Sequence, residues 1–412
     1  MNQLFFALEI AFYIVASRMA MRLLRGNARE VVLALLNTAG VFYFLIYSVP
    51  THTHKSAMVA SVLYLLIVLF QYVMLALFSE TRRELSWLAF FTPIAALIVI
   101  RYVPFHLYVS LAHAFGKQLY NHPGSLMIGI SYLAFRCSRL VLEIQNGLVN
   151  RPGFWEYINF SFFLPTMSVG PINTYANFRL GFEDSPMRAP IGRACLRCMV
   201  GFVKFKFLGA VFGQISYQGF LRNGHPHFWV ALPIVMVFYF LYLYCNFSGF
   251  CDMAIGAAAL IGISVLENFD NPFAARNMKD FWNRWHITLS QWMRDIVFAP
   301  LSKFLARVMG PTGVNKAIAL AIFVVFLLIG IWHGVGWNYV IFGLLQGIGV
   351  SANFYYTIGL KKWLGRDGFK AYNQNRWIHA AAVTSTFCYF AATLLFFANT
   401  LPEIKEIFYN LR

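Results

Sequence analysis

Charge is scarce in this 412-residue chain: 12% of residues are Asp, Glu, Lys or Arg, against about 25% in a soluble domain. Acidic side chains are scarcest, sixteen against thirty-three basic ones. With 59% hydrophobic residues, this composition excludes a disordered chain and a soluble enzyme. Six cysteines, four of them in apolar runs (Cys137, Cys245, Cys251, Cys388), do not make a disulfide scaffold. Cys195 and Cys198 form one CxxC and lack the second pair of a structural zinc site, so free thiols are expected. Gly-x-x-x-x-Gly-Lys, Gly-x-Ser-x-Gly and a DxD-type pair are all absent. The usual marks of a P-loop enzyme, an α/β-hydrolase and a glycosyltransferase are therefore missing.

Long uncharged runs are abundant. Val31 to His54, Ala57 to Phe78, Ala317 to Val350 and Trp377 to Pro402 carry no formal charge. Each reaches the ~20 residues a helix needs to cross ~30 Å of hydrocarbon. The chain reads as an all-α, polytopic membrane protein. Candidate spans fall near Leu4–Ala20, Val31–Val49, Ala57–Phe78, Leu88–Leu111, Leu126–Ile144, Tyr157–Val169, Met199–Ile215, Phe228–Tyr244 and Phe250–Leu266. Ala317–Trp332, Trp337–Val350 and Ile378–Ala398 complete the series. Several are short or broken and read as re-entrant, leaving about eleven crossings.

The +17 net charge fits basic loops facing the cytoplasm and anionic lipid, with an acidic soluble partner as the main addition and no nucleic acid. Leu4 to Ala16 contains Glu9 and feeds into the basic stretch Arg18 to Arg29, so it reads as a retained span. The positive-inside rule then places the amino terminus outside. Gln145–Cys198 and Glu267–Lys316 both read as cytoplasmic. An even number of crossings must separate them, and of the three candidates between, Phe250–Leu266 is expected not to cross.

Two stretches carry candidate chemistry. In Phe281-Trp-Asn-Arg-Trp-His286-Ile-Thr-Leu-Ser-Gln-Trp-Met-Arg-Asp295, helical spacing puts Trp282, Trp285, Leu289 and Trp292 on one stripe. Arg284, Thr288, Gln291 and Asp295 form a second stripe, and Asn283, His286, Ser290 and Arg294 a third. Such a helix is expected in the interface, its Trp rings at headgroup depth. An ordinary amphipathic anchor has the same pattern. In Gly330-Ile-Trp332-His333-Gly334-Val-Gly336-Trp337, His333 is the one side chain of its uncharged run that titrates near neutral pH. An ionisable group there marks function by default, and desolvation favours the neutral imidazole. A buried His that simply bonds a neighbouring helix is the competing reading. Gly334 and Gly336 would let the helix break beside it. His52, His54, His225 and His227 read as turn residues. His106 and His113 lie seven apart without a Cys or carboxylate, so no metal site is expected.

Five segments in order resemble the membrane-bound O-acyltransferase family: Ser168-Val-Gly-Pro-Ile-Asn173, Asn246 to Gly256 with Asp252, Asn268-Phe-Asp-Asn-Pro-Phe273, Phe281 to Leu301, and the His333 segment forty-seven residues after His286. The resemblance covers about Gly129 to Val350 and is similar to the bacterial branch that D-alanylates teichoic acids or O-acetylates alginate. Phe281-Trp-Asn-Arg-Trp-His286 and the compact length lean towards D-alanyl transfer. Pro300-Leu-Ser-Lys-Phe304 stands where the alginate type usually has Gly-Gly-Asn-Arg.

The resemblance implies a single membrane domain over 1–412, its motif-bearing core at 129–350, with helices around a central channel. It implies His333 as the catalytic histidine and His286 as the second characteristic position. Asn283, Arg284, Trp285, Ser290, Arg294, Trp332 and Asp252 are the candidate substrate contacts. No tightly bound cofactor is implied. The donor would be a phosphopantetheine thioester on an acidic acyl carrier protein, or acyl-CoA, on the cytoplasmic side. The acceptor would be an extracytoplasmic polymer or a relay acyltransferase. The rival readings are a transporter or channel with an intramembrane His/Arg pathway, and acylation of a lipid.

Overall fold

Without water to satisfy the backbone, an apolar run must close its hydrogen bonds within itself, which a helix does. The computed structural model describes residues 3–47, 54–79, 83–102, 129–183, 190–217 and 228–409. Among these the protein is all helical, with no strand and one isolated antiparallel bridge, Phe269 to Trp285. His52, His106, His113, His225 and His227 lie outside the described residues.

The chain divides into two units, Met1–Val200 with Phe250–Leu266, and Gly201–Gly249 with Glu267–Arg412. The first holds α1 (Gln3–Leu23), α2 (Gly26–Tyr47), α3 (His54–Phe78), α4 (Ser86–Tyr102), α5 (Ile130–Gln145), α6 (Phe154–Ser161), α7 (Tyr175–Glu183) and most of α8 (Ile191–Phe202). A π-helical stretch, Val203–Leu208, carries α8 into α9 (Gly209–Ile215). Helix α10 (Phe228–Ile261) contributes its amino-terminal part to the second unit and Phe250–Ile261, about three turns, to the first. The second unit continues with α11 (Met278–Arg284), α12 (Ile287–Met293), α13 (Ala299–Met309), α14 (Val314–His333), α15 (Trp337–Gln374), α16 (Arg376–Ala398) and α17 (Leu401–Tyr409).

Among the described residues, five stretches are long and apolar enough to cross a membrane: Gly26–Ile46, Ser61–Phe78, Val230–Ile261, Pro311–His333 and Arg376–Ala398. Ser86–Ile100 is a shorter apolar helix. The expected spans Leu126–Ile144 and Tyr157–Val169 take another form. Helix α5 begins at Ile130 and carries Arg136, which is 1% exposed. Its guanidinium donates to the carbonyls of Phe160 (3.2 Å) and Ser161 (3.2 Å) and to Thr166 Oγ1 (3.3 Å). Those carbonyls are free because α6 stops at Ser161, after eight residues, and gives way to a turn at Leu164–Thr166. A buried cation and unpaired carbonyls thus satisfy one another.

The separate spans Phe228–Tyr244 and Phe250–Leu266 are one helix of 34 residues. The polar Asn246-Phe-Ser-Gly249 stretch does not interrupt it. Gly249 lies where a Cβ would come 2.7 Å from the Gly201 carbonyl oxygen, so the missing side chain admits a neighbouring backbone rather than ending the helix. Among the described residues, two helical stretches rather than three therefore lie between the long basic loops. Helix α15 also outruns its expected end at Val350, continuing to Gln374 with a kink at Gly365 (φ 65°).

Candidate active site

The Trp-rich segment is not one helix. Residues 268–270 lie antiparallel to residues 284–287 and take over their backbone groups. Asp270 N–H donates to the Arg284 carbonyl (3.0 Å), and Ile287 N–H donates to the Asn268 carbonyl (3.0 Å). Trp285 becomes extended (φ −108°, ψ 128°) and His286 takes the left-handed conformation (φ 45°, ψ 52°). A side chain in that region costs about 1–2 kcal/mol, so the surroundings must hold it. They do so through Asn268 Oδ1, which accepts from Thr288 N–H (3.2 Å) and Thr288 Oγ1–H (2.9 Å) and lies 3.1 Å from His286 Nδ1. The amino terminus of α12 is thereby capped by a residue eighteen positions upstream of His286.

The Trp stripe is packed inside the protein. Trp282, Trp285, Leu289 and Trp292 are all buried. Trp285 stacks on Phe281 (5.6 Å, 18°), and Phe390 of α16 lies 4.0 Å from the Phe281 ring centroid. Trp282 Nε1–H donates to Gln346 Oε1 (3.2 Å), and Gln346 Nε2 donates to Thr393 Oγ1 (2.7 Å), tying α11 to α15 and α16. Aromatic rings from α10 and α16 (Phe240 and Phe390) pack on Trp285.

His333 is the last residue of α14, and the helix breaks after it as the glycines suggested. The reason is space. Gly334 is extended (φ −175°), a conformation open to any residue, but a Cβ there would collide with the Tyr339 ring. Helices α14 and α15 return on each other at Gly330 and Gly343, where a Cβ on either would sit 3.1 Å from the Cα of the other. This close crossing holds His333 at the apex of a tight hairpin.

His286, Trp332 and His333 come together. The Trp332 ring centroid lies 6.2 Å from that of His286 and 4.6 Å from that of His333. Phe247 packs edge-on to His286 (4.8 Å), and Phe397 edge-on to His333 (4.9 Å). His333 is half-buried and His286 buried. His286 lies outside the five apolar spans. Burial first, and the His333 charge second, lower its pKa from 6.5 to about 3, so its imidazole is neutral. Among the described residues, no His, Cys, Asp or Glu cluster could hold a metal ion.

The remaining candidates of the second unit do not join this group. Asn283 is exposed, and Ser290 Oγ donates to the Trp285 carbonyl (3.4 Å), so neither shares a stripe with His286 once the helix is broken. Arg284 pairs with Asp280 (2.9 Å) and Asp270 (3.8 Å), and exposed Arg294 with Asp295 (3.0 Å). Asp252 belongs to the first unit, where it pairs with Arg197 (3.1 Å) and joins α10 to α8.

One buried and one half-buried imidazole, His286 and His333, flank a shared Trp332 ring, and the chain's likenesses bear on what such a pair could do. A family model described as MBOAT, membrane-bound O-acyltransferase family, matches residues 41–393. The chain belongs to the membrane-bound O-acyltransferase family; it is a multi-pass membrane enzyme, an O-acyltransferase. It is 31% identical over 292 residues to a teichoic acid D-alanyltransferase of Streptococcus thermophilus, covering 67% of this chain and 69% of the relative. Identity to the protein of that name in Bacillus subtilis is 30% over 281 residues, 66% and 68% of the two chains. A peptidoglycan O-acetyltransferase of Helicobacter pylori is 31% identical over 218 residues, 51% of this chain and 39% of the relative. Membership in the family sets aside the transporter reading.

Proposed function

We propose that the chain passes an acyl group, D-alanyl in preference to acetyl, from a cytoplasmic thioester through the membrane to a hydroxyl of an extracytoplasmic polymer or relay protein. The observation that carries this reading is the convergence of His286, Trp332 and His333 within the family-matched range. D-alanyl is preferred because the relatives named for it match two thirds of the chain, whereas the peptidoglycan O-acetyltransferase matches 51%.

In this reading the fold is one membrane domain of about eleven crossings around a channel. His333, half-buried, is the general base. Its imidazole takes the acceptor hydroxyl proton as the oxygen attacks the thioester carbonyl. The carbon–sulfur bond breaks, and the departing thiolate takes the proton back from the imidazolium. Trp332 and the rings around both histidines exclude water that would hydrolyse the thioester. No bound cofactor takes part. The donor is a phosphopantetheine thioester on an acidic carrier protein, or acyl-CoA, and Arg284 and Arg294 face it when their carboxylate partners give way to phosphate.

Mass spectrometry of the native cell-surface polymer with and without the gene tests the reading. Loss of an alanyl ester supports it, loss of an acetyl ester selects the second acyl group, and no loss of either refutes it.

A further inference from the structure

Asn268 Oδ1 settles more than the position of His286. The backbone N–H of Thr288 can only donate, so the atom 3.2 Å from it is the amide oxygen, not the nitrogen. That oxygen also takes the Thr288 hydroxyl proton at 2.9 Å. Oxygen only accepts, so His286 Nδ1, 3.1 Å away, must carry a proton to bond it. In a neutral ring the second nitrogen, Nε2, then holds a lone pair and no proton. His286 Nε2 is buried and meets no hydrogen-bond partner among the described residues. Buried acceptors are rarely left so, and one held by a left-handed backbone beside a second imidazole is a built feature.

We infer that Asn268 is a positioning residue that locks His286 as its Nδ1–H tautomer, so that Nε2 serves as the acceptor for an N–H or O–H group of a substrate. This rests on the function proposed above and narrows it. A ring with no proton on Nε2 cannot donate to a developing oxyanion, so His286 does not stabilise one from that nitrogen. It binds instead a group that brings its own proton: an amide N–H of the pantetheine arm, or the acceptor hydroxyl on its way to His333. His333 is the titratable group whose charge acts on His286, and the Phe247 and Trp332 rings pack beside it.

The test is nitrogen-15 NMR of histidine-labelled full-length protein in bilayers at pH 7.5, the His286 signals assigned by their loss in His286→Asn. The wild type should show a neutral ring protonated on Nδ1. Asn268→Leu should convert it to a mixture or to the Nε2–H form and lower transfer by about 100-fold. Asn268→Asp keeps an acceptor and should restore the Nδ1–H signal. A wild-type ring protonated on Nε2, or a tautomer unmoved in Asn268→Leu, overturns the assignment. Pantetheine and glycerol phosphate, added separately, distinguish the two proton sources: the one that shifts the Nε2 resonance is the ligand class. A shift with neither overturns the acceptor role. Full transfer by His286→Ala alongside an Nδ1–H wild-type ring refutes the proposed function of His286 and leaves the Asn268 assignment standing.

Discussion

Gly330 and Gly343 meet backbone to backbone, each occupying the space the other's side chain would need. The contact closes the α14–α15 hairpin whose apex carries His333. Substituting Gly343→Ala forces a methyl against the Phe326 carbonyl. Overpacking of this kind costs about 1–3 kcal/mol. The variant should melt at lower temperature in detergent and lose transfer, because the hairpin must open to admit the methyl. A Gly359→Ala control, where nothing lies within 4 Å of the added carbon, should match wild type in both.

Gln346 joins three helices through two hydrogen bonds at a site with no exposure. Gln346→Leu strands the Trp282 N–H and removes the donor to Thr393. Interhelical bonds in membrane proteins contribute about 0.6–2 kcal/mol, and a loss of that size in thermal or denaturant unfolding is expected. Trp282→Phe combined with Gln346→Leu should cost less than the sum of the two single changes, since the stranded donor is then gone.

Acid should weaken the fold through His286. The unfolded imidazole takes a proton near 6.5, the folded one only near 3. Between those values the unfolded state binds more protons, so stability is flat above about pH 6.5 and falls as the pH drops towards 3. At pH 5 the penalty is on the order of 2 kcal/mol. Unfolding at pH 7.5 and pH 5 measures it, and His286→Asn should remove that part of the slope.

Asp252 tests the division between structural and catalytic carboxylates. Its partner is Arg197, and the pair is partly exposed. Asp252→Asn should lower stability by under about 1 kcal/mol and leave the KM for the thioester donor unchanged. A raised KM with unchanged stability would place Asp252 at a substrate instead.

How far the sequence could be read depends on where each constraint comes from. Helices α2, α3, α14 and α16 follow from uncharged runs of sufficient length, a property each segment carries in itself. The break beside His333 was legible from Gly334 and Gly336, although the packing of Tyr339, not backbone freedom, requires Gly334. The turn at Trp285 and His286 was not legible. Every local signal there is helical, and the chain leaves the helix only because residues 268–270 claim its backbone groups. The continuity of α10 through Asn246 and Gly249 likewise depends on the Gly201 backbone. Arg136, inside an expected span, gave no sign that the carbonyls of Phe160 and Ser161 would receive it. Local periodicity shows elements; contacts distant in sequence decide where they stop.

In the proposed function, transfer depends on the imidazole at the end of α14. Single-turnover transfer of a labelled acyl group, from a carrier or coenzyme thioester to native acceptor, should be measured with wild-type and His333→Ala protein reconstituted in bilayers and matched for unfolding temperature. Loss of a proton-transfer group lowers rates by about 10²–10⁴-fold, and the variant should fall by that much while still binding donor. Transfer by His333→Ala at the wild-type rate would contradict the assignment outright.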